Sequence, residues 1–135
     1  MNRTARCGCG QIGIEVEGAP VSHIVCHCDN CKRRTRSAFG YNAYYKTGQV
    51  KSYIGEATVY NKTNGWGEQT LYFCGNCGTT VYATLKNIEG ITFVAAGRFA
   101  DDPLGEPNRT VTCGDRACEW VTLPDYWDRT ESSWV

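Results

Sequence analysis

The stretch Cys7-Gly8-Cys9-Gly10-Gln11-Ile12-Gly13-Ile14-Glu15-Val16-Glu17 carries both signals on which the fold turns. Ile12, Ile14 and Val16 alternate with Gly13, Glu15 and Glu17, so apolar side chains face one way and small or charged ones the other, as in a half-buried strand. The Cys-x-Cys pair just before it sets two sulfurs at the strand's entrance. Outward from here, short β-branched or aromatic runs recur at residues 21–25, 40–45, 50–54, 58–61, 70–73, 80–85, 91–96 and 119–123, separated by glycine-bearing turns. With fifteen glycines and eight tyrosines, this spacing predicts a mainly β domain of short antiparallel strands rather than alternating strand and helix units. One short helix is predicted, over residues 30–38, after the Cys26-x-Cys28-x-x-Cys31 motif. Lys32, Arg33, Arg34 and Arg36 leave it no apolar stripe except through Cys31, Thr35 and Phe39, so the cysteine rather than hydrophobic packing has to anchor it.

A chain of 135 residues is read as one domain, residues 1–135, with no internal repeat, low-complexity tract or linker. Lys plus Arg and Asp plus Glu are 14 each, and this neutrality argues against a dedicated nucleic-acid binder, which needs counterion release from phosphates. At 41% apolar and 21% charged, the composition is that of a soluble globular protein, and the longest apolar run, Phe93-Val94-Ala95-Ala96, is far too short to span a bilayer. The opening Met1-Asn2-Arg3-Thr4-Ala5-Arg6 has no apolar core of a secretory signal, so a reducing, cytoplasmic setting is expected. The three Asn-x-Thr sequons, at Asn2, Asn61 and Asn108, then read as chance. Nine cysteines are too many for inert core filler, and an odd total fits a disulfide framework poorly, which leaves metal binding.

Spacing sorts the cysteines. Phe73-Cys74-Gly75-Asn76-Cys77-Gly78 is a Cys-x-x-Cys-Gly knuckle, whose tight turn aims two sulfurs at one point and relies on Gly78 for its dihedrals. Paired with Cys7 and Cys9, Cys74 and Cys77 can complete a closed, four-thiolate structural zinc site. That site would clip residues 10–73 into a loop and so add folding free energy. Cys26, Cys28 and Cys31 put three thiolates within six residues and leave a fourth position open, the pattern of a catalytic zinc; His27 or His23 filling that position is the competing closed reading. Three thiolates weaken the ion's pull on a bound water but suit capture of an incoming thiol, whose pKa the metal lowers. The substrate is therefore expected to carry sulfur. Lys32, Arg33, Arg34 and Arg36 are candidates to receive its carboxylates, the alternative being a solvated helix face. Phe39 and Trp66 are candidate substrate contacts, Trp66 lying between Gly65 and Gly67 in a presumptive loop or tucked over the sheet.

With these motifs in hand, the chain resembles the glutathione-dependent formaldehyde-activating enzymes and the centromere protein V-like domains grouped with them. The resemblance is carried by Cys7-Gly8-Cys9-Gly10, by Cys26-His27-Cys28-Asp29-Asn30-Cys31 with Ser37-Ala38-Phe39-Gly40, by Phe73-Cys74-Gly75-Asn76-Cys77-Gly78, and by Gly97-Arg98-Phe99-Ala100-Asp101-Asp102-Pro103. It implies a small zinc-binding β-tent with two Zn²⁺ per chain, a structural one on Cys7, Cys9, Cys74 and Cys77 and a catalytic one on Cys26, Cys28 and Cys31. It also implies a carbon–sulfur lyase chemistry in which a small-molecule thiol such as glutathione adds to formaldehyde to give S-hydroxymethylglutathione. Asp29, His27 and tyrosines are candidates for moving the proton. Two further readings stay open: a non-catalytic interaction module of the centromere protein V type, and an enzyme acting on a different thiol adduct. This chain departs from the family pattern at Arg36, where a small residue is usual, and over residues 109–120, where Cys113 and Cys118 appear as extras. Those two are read as free thiols, with a redox pair or a metal role as the lesser alternatives.

Overall fold

In the computed structural model, which describes residues 1–64 and 67–131, the alternating runs become strands at almost every expected place. In chain order the elements are β1 (Asn2–Arg6), β2 (Gly13–Glu17), β3 (Ser22–Cys26), α1 (Asp29–Thr35), β4 (Gly40–Lys46), β5 (Val50–Ile54), β6 (Thr58–Asn64), β7 (Gly67–Phe73), β8 (Thr80–Leu85), β9 (Ile91–Ala95), β10 (Arg109–Val111) and β11 (Asp128–Thr130). They form a three-stranded sheet, β1-β2-β5, and an eight-stranded one, β11-β10-β3-β4-β9-β8-β7-β6. Pairing is antiparallel except around β10, which runs parallel to both β3 and β11.

Strand alternation on β4 divides the interior in two. Ala43 and Tyr45 point into a cluster with Val81 and Val94, which packs against Ala5, Ile14 and Val16 of the small sheet. Tyr44, between them in sequence, points to the opposite face and joins Ile24, Cys26, Cys31 and Val111. The large sheet is thus buried on both faces, by the small sheet on one and by the helix and its cysteines on the other. This explains why Tyr45, Ile14, Ile24, Val94 and Phe99 all lose essentially all solvent contact.

The helix is shorter than predicted. Residues 36–38 fall outside it because Arg36 adopts a left-handed conformation (φ 58°) and its N–H closes back on the Lys32 carbonyl. Residues 119–123, expected as a strand, lie in irregular chain, while β1, β10 and β11 form where no strand was read. β1 and β11 were illegible because neither alternates: among Asn2-Arg3-Thr4-Ala5-Arg6 only Ala5 is buried, and Asp128-Arg129-Thr130 has no apolar residue. Such strands are held by ladder hydrogen bonds to an already amphipathic neighbour.

One glycine is required by its surroundings. Gly55, at the end of β5, has φ +70°, and a Cβ there would sit 2.2 Å from the Gln11 carbonyl oxygen. Gly55→Ala is expected to lower unfolding free energy by about 2–3 kcal/mol, read as a lower urea midpoint at unchanged slope.

Candidate metal centres and pocket

The first sulfur cluster forms where the two sheets meet. Cys7 and Cys9 lie in the turn from β1 to β2, and Cys74 and Cys77 in the turn from β7 to β8. Their four sulfurs lie within 4.8 Å of one another, with Cys7–Cys9 at 3.7 Å and Cys9–Cys74 at 3.6 Å. A zinc–sulfur bond of about 2.3 Å in tetrahedral geometry places neighbouring sulfurs roughly 3.8 Å apart, so this donor set fits the ion. Local backbone supports the fit: the Ile12 N–H donates to Cys7 Sγ at 3.3 Å and the Cys77 N–H to Cys74 Sγ at 3.5 Å. Gly78, at φ +78°, donates to the Cys74 carbonyl at 2.8 Å and closes the knuckle as its sequence predicts. Hydrogen bonding from the Thr79 side chain and backbone brings the Cys77 thiol down to about 5. For Cys74 the Cys77 N–H pulls the same way, but burial and the sulfurs of Cys9 and Cys77 prevail and push it up to about 11.

The second cluster sits on the other face of the large sheet. Cys26 ends β3, Cys28 caps α1 by accepting the Cys31 N–H at 3.2 Å, and Cys31 lies in the helix's first turn. Against it, β4 comes close because residue 40 is glycine: a Cβ there would be 2.9 Å from Cys31 Cβ. Two residues further on, the Asn42 side chain donates to Cys31 Sγ at 3.5 Å and accepts from Arg34 Nη2 at 2.7 Å, while Arg34 itself reaches Cys31 Sγ at 4.0 Å. Hydrogen bonds from Cys26 and Cys28 overcome burial and, with the Arg34 charge and Asn42, lower the Cys31 thiol to about 2. The same neighbours and burial raise Cys26 strongly. Cys28 is lowered by Cys26 but raised more by Cys31 and burial, ending at about 11. Negative charge in this cluster is therefore concentrated on Cys31. A further sulfur lies here, that of Cys113: the sulfurs of Cys26, Cys28 and Cys113 are within 4.8 Å of one another, a group that leaves out Cys31.

A pocket opens beside this cluster. Its walls include Cys26, Cys28 and Cys31, but none of Cys7, Cys9, Cys74 and Cys77. Sheet register explains the lining: Tyr44 pairs with Phe93, Phe93 with Ala83 and Ala83 with Leu71, a row on one face, with Asn42 opposite Ala95 and Gln69 opposite Leu85 flanking it. Asn30 and Arg34 come from the helix. The result is an apolar floor with amide, guanidinium and sulfur groups gathered at one side.

The sequence-derived candidates fall in different places. Arg34 lines the pocket, whereas Lys32 donates to the backbone carbonyl of Arg116, and Arg33 and Arg36 are exposed. Phe39 packs edge-on against His27, with centroids 5.8 Å apart, and is not among the lining residues. Trp66 lies outside the described residues. Neither histidine joins the sulfurs: His27 Nε2 bonds Thr110 Oγ1 at 2.8 Å, and His23 Nδ1 bonds the Tyr41 hydroxyl at 3.2 Å. Burial lowers the pKa of both rings. Asp29 is held in a two-pronged ion pair with Arg116 (2.8 Å), which keeps its carboxyl below the usual range. Sequence reasoning missed Asn42 and Lys62, whose Nζ donates to Asn30 Oδ1 and whose pKa burial lowers. Their only signal was strand parity: Asn42 lies two residues from Tyr44 on β4.

Among the described residues no helix is long and apolar enough to cross a membrane. A crystal structure of a Rhodobacter sphaeroides protein is similar with a TM-score of 0.54 at 20% identity, over 72% of this chain and 85% of that one; at this identity the likeness concerns the fold alone. Comparison with curated proteins gave no match. The family model of the glutathione-dependent formaldehyde-activating enzymes matches residues 2–115. Those residues span both sulfur clusters and every strand that lines the pocket, and the chain belongs to this family.

Proposed function

We propose that the protein is a zinc-dependent carbon–sulfur lyase-type enzyme that binds glutathione or a related thiol and forms or cleaves its adduct with formaldehyde or another small electrophile. In this reading Cys7, Cys9, Cys74 and Cys77 hold a structural zinc, and Cys26, Cys28 and Cys31 a reactive one. The observation that carries the division is the pocket, whose wall contains sulfurs of the second cluster and none of the first. A metal serving only to cross-link the chain needs no such access. The protein would act as one domain in the cytoplasm, on a small molecule, without nucleic acid or membrane.

Zinc bound at the second cluster would supply thiol activation, lowering an incoming thiol's pKa and holding it as a thiolate. Everything else falls to the chain. Arg34 and Lys62 offer positive charge for the carboxylates of a thiol peptide, and the Asn30 and Gln69 amides can bond its backbone. Tyr44, Leu71 and Phe93 form an apolar floor that excludes water from the electrophile. In the addition, a carbon–sulfur bond forms, the thiol S–H breaks and its proton ends on the former carbonyl oxygen; cleavage reverses each step. Asn42 fixes the Cys31 sulfur and Arg34 together, so metal position and substrate charge are set by one side chain.

Three outcomes test this. Exchange spectroscopy of glutathione with formaldehyde should show interconversion accelerated at catalytic protein concentrations; exchange no faster than the spontaneous rate would reject the assigned reaction. Cys74→Ser is expected to abolish the folded circular dichroism spectrum, while Cys28→Ser remains folded yet no longer binds glutathione, and equal loss of structure in both would erase the distinction between centres. Asn42→Leu should weaken metal binding at the second centre about 10- to 100-fold in a chelator competition, leaving the first centre's affinity unchanged.

A further inference from the structure

The parallel pairing of β10 with β3 carries an additional sulfur into the second cluster. Thr110 pairs with Val25 and Val111 with Cys26, and the His27 N–H donates to the Val111 carbonyl at 3.1 Å, so the two strands leave the sheet side by side. Cys113, two residues beyond Val111, arrives beside the Cys26–Cys28 turn with its sulfur 4.0 Å from Cys26 Sγ. That separation is close to the roughly 3.8 Å edge of a sulfur tetrahedron around zinc. A second observation comes from the backbone. Cys113 has φ 51°, and among the described residues only Arg36, the helix cap, is another non-glycine in this region. The neighbouring Thr112 N–H is tied to the Thr130 carbonyl at 2.8 Å, so the strained turn is enforced by the parallel β10–β11 ladder.

The geometry points to Cys113, which sits beside Cys26 and Cys28 but does not itself line the pocket, as a displaceable sulfur ligand of the second metal centre, an internal thiolate that gives up its coordination position when a substrate thiol binds. This rests on the reading of that centre as the thiol-binding one. Cys26, Cys28 and Cys113 already gather within 4.8 Å; with Cys31 drawn in, four sulfurs saturate a tetrahedral ion, so one must leave for a thiol to enter. Cys26 and Cys31 are buried in the core, and Cys28 caps the helix. Cys113 is half-buried, past the end of a three-residue strand, and can withdraw at the smallest structural cost. In the exchange, Cys113 gives up its metal bond and takes the proton that the incoming thiol loses as that thiol's own bond forms. Charge and proton count are unchanged, and no separate base is needed. Asp29 is paired with Arg116, and His27 is bonded through Nε2 to Thr110, its Nδ1 being buried without a partner.

Cobalt(II) in place of zinc tests the assignment, because sulfur-to-cobalt charge-transfer absorbance scales with the number of bound thiolates. The full-length chain is compared with Cys113→Gly and Cys113→Asn, residue types that tolerate the left-handed backbone and so preserve the fold. With both centres loaded, absorbance is expected to fall by about one part in eight in each variant. Glutathione should restore it in the variants, leave the total unchanged in the parent chain, and bind the parent several-fold more weakly because Cys113 competes. Undiminished absorbance in both variants overturns the ligand assignment. A fall that glutathione does not reverse overturns displacement and marks a closed centre. If substitution changes nothing and glutathione adds a sulfur to all three proteins, Cys113 is excluded while the thiol-binding reading survives; glutathione without effect on any of them removes that reading itself.

Discussion

Closely packed sulfur is the constraint on which the rest of this structure depends. Four thiols whose sulfurs stand 3.6–3.7 Å apart along the Cys7–Cys9–Cys74 edge cannot all ionise without a cation among them. Their positions would make such a cation a cross-link between sheets, because one pair belongs to the β1–β2 turn of the small sheet and the other to the β7–β8 turn of the large one. The apolar cluster between the sheets sets small residues such as Ala5, Ala43, Val16, Val81 and Val94 around the larger Tyr45 and Phe99. A core of this kind gains from a bond at its edge that fixes the approach of the two layers before every methyl group is in contact. Of the small sheet, β1 contributes a single buried side chain, and β2 carries the rest of its packing through Ile14 and Val16.

The second cluster places the same donor atoms in a different setting, beside a pocket. It lies on the opposite face of β4, so the strand that sends Ala43 and Tyr45 into the structural core sends Asn42 and Tyr44 toward the pocket. That alternation places the rigid ladder of β4, β9, β8 and β7 beneath the reactive sulfurs, and pocket residues on a sheet are held more firmly than residues on loops. Charge is also distributed unevenly. Hydrogen bonds from Cys26 and Cys28, with smaller help from Arg34 and Asn42, draw it to Cys31, at the buried end of the motif, and leave Cys28 and Cys26 as the weaker acids. In the first cluster the low-lying thiol is Cys77, which is exposed and served by Thr79 rather than by an arginine. A sulfur set backed by a guanidinium on the pocket wall is prepared for an anionic visitor; one backed by a hydroxyl and peptide N–H groups is prepared only for its metal.

How much of this could be read beforehand follows from the range of each signal. Residues 12–17 announced their strand through side-chain alternation, and 50–54 and 80–85 theirs through β-branched or aromatic runs, both properties of a few consecutive residues, while the three cysteine motifs announced themselves through turns of two or three residues. The helix was legible in place but not in length, since its end is set by the left-handed Arg36, a residue type with no preference for that conformation. The role of the basic run was legible only in part: Arg34 faces the pocket because it lies one turn from Cys31, while Arg33 and Arg36 point to solvent. Lys62 and Asn42 had no local mark beyond strand parity, because their importance arises from strands brought together across the sheet.

The sharpest case is β10. A reading built on antiparallel hairpins pairs each strand with its sequence neighbour and has no reason to bring residues 109–111 against residues 25 and 26. Parallel pairing requires a long crossover, and once it is made, corresponding residues on the two strands point to the same face and run on in the same direction. Val111 beside Cys26 therefore implies that whatever follows Val111 by two residues will meet the cysteine turn that follows Cys26 by two. Spacing along the chain sets Cys113 apart from Cys26, Cys28 and Cys31 as a leftover thiol; spacing along the paired strands puts it with Cys26 and Cys28. The number of sulfurs available to the second centre is thus a property of sheet topology, and it is the topology, more than any cysteine motif, that decides whether the centre stands open or holds a ligand of its own.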